Sequence, residues 1–294
     1  SVEVTEHLKP RGNDLVIRIN NRLGDDTVPT GRTDWWPYGG LTRDVMLVAT
    51  PEQYIVNARV VLHSDRSAIT AEVATQGFVS GDKVAVVIPE LDINQTARIN
   101  DRGDARLRIP AQPQLWQPGA PKLYRVELTA GDDQISDDIG FRTIETSGTT
   151  IMLNGEPIKF KGISTHEEPI GRDGVAYSEA DMRVLFNEAK ELGVNFVRAA
   201  HYPYSRHAAR VADELGILLW EEVPIYWNIA WDNAETLAIA RDQLARLIER
   251  DWNRASVVIW SVANETPYSE SRMKFLRRLI DDVRELDDSR LVSA

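Results

Sequence analysis

The hydrophobic pattern of the chain changes near residue 145, and the two halves predict different folds. Before that point, apolar residues form short runs separated by turn-forming residues, and positions 54–62 alternate between apolar and polar. Such alternation places every second side chain on one buried face of a strand. Short strands with turn signals between them predict a β-sandwich. The expected strands are 15–19, 45–49, 54–62, 69–74, 83–88, 97–99, 105–109, 123–129 and 138–144.

The second half alternates short apolar runs with longer segments of helical spacing. Strands are expected at 158–163, 194–198, 217–220 and 257–262. One helix begins at Ser178, where Asp181 completes a variant of the capping box, and glycines follow the predicted ends of the first two helices. The fourth run is apolar on both faces, which is typical of a buried parallel strand. Strand and helix in repetition predict a parallel sheet covered by helices.

Two architectures contain such a sheet, the doubly wound fold and the TIM barrel. No Gly-x-Gly-x-x-Gly follows the first strand, so the dinucleotide-binding form of the doubly wound fold loses its best support. Polar residues gather instead at the carboxyl ends of the strands, where a TIM barrel carries its active site. We therefore expect a β-sandwich followed by the first half of a TIM (β/α)8 barrel. Only four barrel strands are predicted, so the remaining strands are expected outside this sequence.

Composition and charge exclude several classes of function. The 294 residues contain no cysteine, which excludes disulfides, thiolate zinc sites, iron–sulfur clusters and a cysteine nucleophile. The net charge of −11 argues against a surface for nucleic acid or anionic membrane, because phosphate binding needs a positive field. No apolar run approaches the roughly 18 residues that span a bilayer. We expect a soluble chain that binds neither nucleic acid nor membrane, with the choice between cytoplasm and periplasm open.

Asn264 and Glu265 carry the sharpest chemical signal, because they directly follow the fourth strand of the second half. A carboxyl group at the mouth of a barrel, held beside apolar walls, has a raised pKa and can donate a proton near neutral pH. Cleavage of a glycosidic bond needs such an acid and a second carboxylate, about 5 Å away in a retaining enzyme. The alternative is that Glu265 caps the next helix or pairs with an arginine.

The other strand ends supply candidate supporting residues. Arg198 can hold a carboxylate through two parallel hydrogen bonds, and His201 can bind sugar hydroxyls. Glu221 and Glu222 end the third strand, and alternation lets only one of them face inward, as a reactant or as the partner of Arg198. His166 ends the first strand. A purely structural role is the alternative for Arg198, His201 and His166.

Metal and aromatic patterns near these residues are less specific. A metal site built on His166 and His201 is disfavoured, because neither His-x-x-x-His nor Glu-x-x-His spacing occurs on a helix. We expect no metal and no cofactor. The aromatic residues Tyr226, Trp227 and Trp231 follow the third strand. Their faces suit a carbohydrate cleft, although an ordinary hydrophobic loop explains the same pattern.

Taken in order, several stretches resemble glycoside hydrolase family 2, the β-galactosidases, β-glucuronidases and β-mannosidases. The matching stretches are 34–45, 115–118, 121–124, 140–142, 154–157, 161–162, 198–203, Glu222 with Pro224, and 260–265. The resemblance implies a C-terminal remnant of a jelly-roll sugar-binding domain at 1–50. It also implies an immunoglobulin-like β-sandwich at 51–145 and the first half of the catalytic TIM barrel at 146–294.

The resemblance also implies roles for single residues. Glu265 matches the general acid/base, and Asn264 matches the residue that contacts the sugar 2-hydroxyl. Positions that support the nucleophile or contact the substrate are matched by Arg198, His201, His166 and Glu222. Arg-Ala-Ala-His stands where the family has Arg-Thr/Cys-Ser-His, so a small polar group is lost while Arg198 and His201 are kept.

The activity implied by the resemblance is retaining hydrolysis of terminal β-linked sugars. The family nucleophile, a glutamate near the seventh barrel strand, is expected beyond Ala294, so the chain alone should be inactive. We place β-galactosides first and β-glucuronides second as substrates. The alternatives are an endo-β-glucanase of a related barrel clan and a non-catalytic carbohydrate-binding or assembly fragment. A homo-oligomer that pairs two half-barrels is a further expectation.

Overall fold

A computed structural model describes residues 2–169, 171 and 174–294 of the chain. Its strands are β1 Tyr54–Leu62, β2 Ala68–Gln76, β3 Lys83–Ile88, β4 Ile93–Arg98, β5 Asp104–Pro110, β6 Tyr124–Ala130, β7 Asp133–Ile139, β8 Ile144–Ser147, β9 Thr150–Leu153, β10 Glu156–Pro157, β11 Gly162–Thr165, β12 Phe196–Ala199, β13 Leu218–Glu222, β14 Val257–Ser261 and β15 Leu291–Ser293. Its helices are α1 Glu179–Glu191, α2 Arg206–Leu215, α3 Ala234–Asp251 and α4 Glu270–Leu286, with short 3-10 turns at Thr5–His7 and Pro89–Leu91.

Strands β1 to β7 form two antiparallel sheets that share one core. The strand orders are β1-β2-β5 and β4-β3-β6-β7. Alternate residues of β5 are buried, as the pattern predicts, and Val60, Ala71, Val86 and Val126 meet in the core between the sheets. The predicted sandwich is therefore confirmed. The strand expected at 138–144 is wrong, because β7 ends at Ile139 and the chain crosses to the second half before β8 begins.

The segment 2–53 forms no strand, so the strands predicted at 15–19 and 45–49 are wrong. Val16 is 90% exposed and Leu47 is 75% exposed. Among the residues that the structure describes, no strand pairs with either run. An extended backbone becomes a strand only when a neighbour satisfies its N–H and C=O groups, and an apolar run by itself does not supply that neighbour.

Strands β11 to β15 form one parallel sheet in chain order. The four helices connect successive strands, and an order without reversal is that of a β/α barrel and not of a doubly wound sheet. Over the described residues this sheet has five parallel strands where four were expected, since the three residues of β15 are too few to give a pattern. The strand predicted at 158–163 lies later, at Gly162–Thr165, because Ile158 and Phe160 pack against a separate apolar cluster.

Helix ends follow the predicted caps and fix where the strands resume. The Ser178 side chain accepts a hydrogen bond from the Asp181 backbone N–H, and the Asp181 carboxylate accepts one from the Ser178 backbone N–H. Helix α2 ends at Gly216, whose φ of +71° costs a glycine little. Within the described chain, no helix is both long enough and apolar enough to cross a membrane.

The sandwich packs tightly on the barrel half at Gly140. A methyl group there would lie 2.7 Å from the Ala255 Cβ and 2.8 Å from the Trp116 Cδ1. We expect Gly140→Ala to lower the free energy of unfolding by about 1–3 kcal/mol, the usual cost of overpacking. Urea denaturation checks this against Gly31→Ala, whose methyl group meets nothing closer than 3.8 Å. Equal stability of the two variants would contradict the prediction.

Candidate active site

The residues singled out in the sequence meet at one end of the parallel sheet. His166 directly follows β11, Arg198 lies in β12 and Glu222 ends β13. Asn264 and Glu265 come just after β14. This is the carboxyl end of the strands, where loops of β/α barrels carry catalytic groups.

The Glu222 carboxylate lies at the centre of this group and is 1% exposed. Arg198 donates to its Oε2 from Nε at 3.2 Å and from Nη2 at 2.8 Å. The His201 Nδ1 lies 2.5 Å from its Oε1, and the Trp220 Nε1–H donates to Oε2 at 3.1 Å. A buried carboxylate needs such donors to remain an anion. Both oxygens are therefore occupied, and Glu222 holds Arg198 in place.

Glu221, the next residue back along β13, lies among other partners. It is 1% exposed, and its nearest cation is the Arg250 guanidinium, 3.7 Å away. Burial and then the neighbouring Asp251 carboxylate raise the pKa of Glu221 well above its ordinary value. The structure thus answers the question that alternation left open, since Glu222 is the partner of Arg198.

Asn264 joins this network through its side-chain oxygen. The Arg198 Nη2 donates to the Asn264 Oδ1 at 2.5 Å. The Asn264 Nδ2 is buried and has no hydrogen-bond partner among the described residues. Buried amide groups nearly always have a partner, so this N–H group is available to an acceptor such as a sugar hydroxyl.

Glu265 lies on a loop that hydrogen bonds connect to the loop after β13. The Asn264 N–H donates to the Ile225 carbonyl at 2.9 Å, and the Trp227 N–H donates to the Asn264 carbonyl at 3.1 Å. The Trp227 indole Nε1–H donates to the Glu265 Oε2 at 2.9 Å. Glu265 is exposed, so the enclosing apolar walls expected around it are not found in the described part of the chain. It lies in the loop after β14, at the carboxyl end of the parallel sheet.

Trp35 reaches this site from the segment 2–53. Its ring centroid lies 6.3 Å from that of His166, 6.1 Å from His201 and 5.1 Å from Tyr226. Burial lowers the pKa of His166, and the nearby His201 lowers it further. Sequence reasoning missed this role of Trp35, because no local pattern relates residue 35 to residues more than a hundred positions later. The one signal in the sequence was that Trp35 lies in the stretch 34–45, which is part of the family resemblance.

Three side chains at the site, those of Asp34, His166 and His201, have ligand atoms close enough to share a cation. One side-chain ligand atom each of Asp34, His166 and His201 lies within 4.8 Å of the other two. One carboxylate with two imidazoles suits a transition metal, and the same groups can hydrogen-bond to sugar hydroxyls. Spacing along the chain, on which the expectation of no metal rested, cannot detect such a set. Burial and a hydrogen bond with Asp34 raise the pKa of Tyr226 beside it.

Glu167 fastens the segment 2–53 to the barrel half. It is fully buried, and its Oε2 accepts a hydrogen bond from the Arg43 Nη2 at 2.6 Å. Its Oε1 accepts one from the Ser205 backbone N–H. Burial raises the pKa of Glu167 to about 7, although Arg43 and Ser205 act in the opposite direction.

This raised pKa predicts a pH dependence of stability. Between the ordinary pKa of 4.5 and about 7, the folded state holds a proton that the unfolded state has released. The contribution of protonated Glu167 to the free energy of unfolding is complete below pH 4.5. It is lost as the pH rises through 7, and the loss is at most about 3 kcal/mol. Urea denaturation from pH 4.5 to 7.5 should show a shallower decline for Glu167→Gln than for wild type. Glu168→Gln, at an exposed position, is the control, and parallel profiles for wild type and Glu167→Gln would contradict the prediction.

Two family profiles match the chain. The profile described as "Glycosyl hydrolases family 2, TIM barrel domain" matches residues 144–294, and "Glycosyl hydrolases family 2" matches residues 45–142. A β-glucuronidase of Paenibacillus borealis is 30% identical over 96% of this chain and 53% of its own length. A β-galactosidase of Halalkalibacterium halodurans is 28% identical over 88% of this chain and 28% of its own length.

A solved structure agrees with the fold over most of the chain. The β-galacturonidase from Eisenbergiella tayi bound to galacturonate superposes with a TM-score of 0.83 at 27% identity. The superposition covers 93% of this chain and 52% of that enzyme. The chain therefore spans about half, or less, of the length of these relatives.

Proposed function

The chain belongs to glycoside hydrolase family 2, and from this membership we propose that the full-length protein is a retaining β-glycosidase. The two family profiles confirm the resemblance to this family that was seen in the sequence. The observation that supports this activity is the placement of Glu265 at the carboxyl end of the parallel sheet, in the loop after β14 and next to Asn264 of the Arg198–Glu222–Asn264 network.

In the proposed reaction, Glu265 acts as the general acid and then as the general base. A carboxylate nucleophile attacks the anomeric carbon while Glu265 gives its proton to the departing glycosidic oxygen. Water then attacks the glycosyl-enzyme ester, and Glu265 takes up the proton of that water. Glu222 does not serve as nucleophile, because its two oxygens are held by Arg198, His201 and Trp220. We assign the nucleophile to residues outside this sequence.

The other site residues orient the sugar. The unpartnered Nδ2 of Asn264 is the proposed donor to the sugar 2-hydroxyl. His201 and His166 face the same space as the Trp35 ring, which supports contacts to the substrate. Arg198 keeps Asn264 and Glu222 in position through hydrogen bonds from a single guanidinium.

The proposed domain map follows the family. We assign 1–50 to a jelly-roll remnant, 51–145 to an immunoglobulin-like sandwich and 146–294 to the first half of the catalytic barrel. The two-sheet sandwich and the parallel sheet in chain order support the last two assignments. A homo-oligomer stays a prediction, to be tested by light scattering over a range of concentrations.

Both sugar classes expected from the sequence occur among the relatives. One relative is named a β-glucuronidase, another a β-galactosidase, and the superposed structure is a β-galacturonidase. Because two of these three names refer to a uronic acid, we now place β-glucuronides ahead of β-galactosides.

The test is to compare the full-length protein with the 294-residue chain on aryl β-glucuronide, β-galacturonide and β-galactoside. We expect hydrolysis by the full-length protein alone, with the first-formed sugar in the β configuration by NMR. Release of the α-anomer would overturn the retaining mechanism. Activity of the short chain would mean that a carboxylate within it, such as Glu222 or Glu167, is the nucleophile. No hydrolysis by either would favour a carbohydrate-binding or assembly role.

A further inference from the structure

Trp227 lies at the rim of the site in an unusual backbone conformation. Its φ is +52°, and the φ of its hydrogen-bond partner Glu265 is +49°. Residues with side chains adopt this left-handed region at a cost of order 1–3 kcal/mol, and such residues are enriched at active sites. Two of them face each other here and are joined by a hydrogen bond, whereas Arg66, Asp92 and Asn154, the other non-glycine residues with positive φ in the described chain, lie outside the site.

Contacts on both sides hold Trp227 in this conformation. Its backbone N–H is bound by the Asn264 carbonyl, and its ring packs on Tyr226 with centroids 4.6 Å apart. Tyr226 is 2% exposed and in turn packs on Trp35, with centroids 5.1 Å apart. A continuous aromatic wall therefore runs from Trp35 through Tyr226 to Trp227.

The outer end of this wall is open to a ligand. Trp227 is 40% exposed, whereas Tyr226 is buried. The general acid must reach the oxygen that links the sugar to its leaving group, so the leaving group lies beside Glu265 and hence beside the indole. Indole faces bind planar aryl rings and the apolar faces of sugar rings. A short alkyl group offers no such face.

We propose that Trp227 has two roles in the glycosidase reaction proposed above. Its exposed indole face binds a ring-shaped leaving group, and its Nε1–H positions the Glu265 carboxyl group. Because an indole N–H only donates, the Glu265 Oε2 acts as acceptor and the acidic proton is carried by Oε1, which is left for the glycosidic oxygen. The inference rests on the proposed function and adds the class of leaving group.

The test uses full-length Trp227→Phe and Trp227→Ala with methyl, phenyl and disaccharide glycosides of one sugar. Trp227→Ala should lose about five- to tenfold more kcat/KM on the phenyl glycoside and the disaccharide than on the methyl glycoside. Trp227→Phe keeps a ring and should spare the KM of ring-bearing substrates within about twofold. It should lower their kcat by about tenfold, because the carboxylate that forms as Glu265 gives up its proton loses a hydrogen bond.

The split between kcat and KM separates positioning from mere structural damage. Trp227→Phe should lower kcat on the methyl glycoside as well, because its hydrogen bond to Glu265 is lost for every substrate, while urea denaturation should show a free energy of unfolding close to that of wild type. Leu192→Ala removes an exposed apolar side chain just after α1, before β12 begins, and serves as the control, with no preference between ring and methyl substrates.

The outcomes distinguish this inference from the proposed function. Equal losses of kcat/KM on methyl and ring substrates in Trp227→Ala, or an unchanged kcat in Trp227→Phe, would overturn the roles of Trp227 while the glycosidase function stands. A selective loss on the phenyl glycoside alone would support the indole face and identify an aryl leaving group; a selective loss on both would identify any ring. A wild-type protein that cleaves none of the substrates would overturn the proposed function and this inference together.

Discussion

Replacing Glu265 by alanine should slow the hydrolysis of glycosides with poor leaving groups by about 10²–10⁴-fold. Such substrates need a proton on the departing oxygen, and Glu265 is the proposed donor. Activated aryl glycosides need no proton to depart, so they should still form the glycosyl-enzyme intermediate and then stall for lack of a base. Added azide needs no deprotonation and should restore turnover, giving a glycosyl azide as product.

The measurement is a series of aryl glycosides with leaving groups of graded acidity, cleaved with and without azide. Glu270→Gln is the matched control, because this exposed glutamate lies five positions later, at the start of α4. Its rates should equal those of wild type for every leaving group. If Glu265→Ala lost the same factor on every substrate and azide rescued nothing, the acid/base role would be wrong.

Replacing Arg198 by methionine should lower the free energy of unfolding by about 3 kcal/mol, near the lower end for a broken buried ion pair. The Arg198 side chain is 23% exposed and the Glu222 side chain is 1% exposed. The cost of the substitution therefore comes mostly from the Glu222 carboxylate, which would be left buried without its cation. It would keep His201 and Trp220 as neighbours but no permanent cation. Asn264 would also lose the donor that orients its amide, so activity should fall together with stability.

Comparison with a double variant identifies the cause. Arg198→Met with Glu222→Gln removes the unpaired charge, so the double variant should be more stable than Arg198→Met alone. Arg183→Met is the control, because Arg183 forms ion pairs with exposed carboxylates and should cost no more than about 1 kcal/mol. Urea denaturation of the full-length variants measures all three, and a loss for Arg198→Met no larger than for Arg183→Met would contradict the prediction.

Local pattern predicted the fold wherever a segment finds its partners nearby. Strands β1 and β3 have the predicted bounds, and helix α1 begins after the predicted cap at Ser178. The strand predictions that were wrong have a different cause. The apolar runs at 15–19 and 45–49 lack a pairing strand in the described chain, and an apolar pattern cannot report whether such a neighbour exists.

The site divides in the same way. The position of Glu265, Arg198 and Glu222 at one sheet end follows from parallel strands, whose carboxyl ends all meet at the same edge. The choice of Glu222 over Glu221 did not follow from alternation, which needs one residue of known direction to start from, and only the family resemblance indicated Glu222. The contacts of Trp35 and Trp227 did not follow either, because each joins loops whose approach depends on the assembled sheet.

In the proposed enzyme, enclosing the sugar and donating the proton are tasks of two different parts of the chain, and the position of Trp35 shows this division. The ring that closes the space around His166 and His201 comes from a segment fastened by Arg43 to Glu167, whereas the proposed proton donor comes from the end of β14. In the proposed glycosidase, substitutions in the segment act directly on the space around His166 and His201. They reach the proton donor only through the ring contacts of Trp35 with Tyr226 and of Tyr226 with Trp227. We therefore expect changes of sugar preference made at residues 34–43 to leave the proposed chemistry intact only where Trp35 itself is kept.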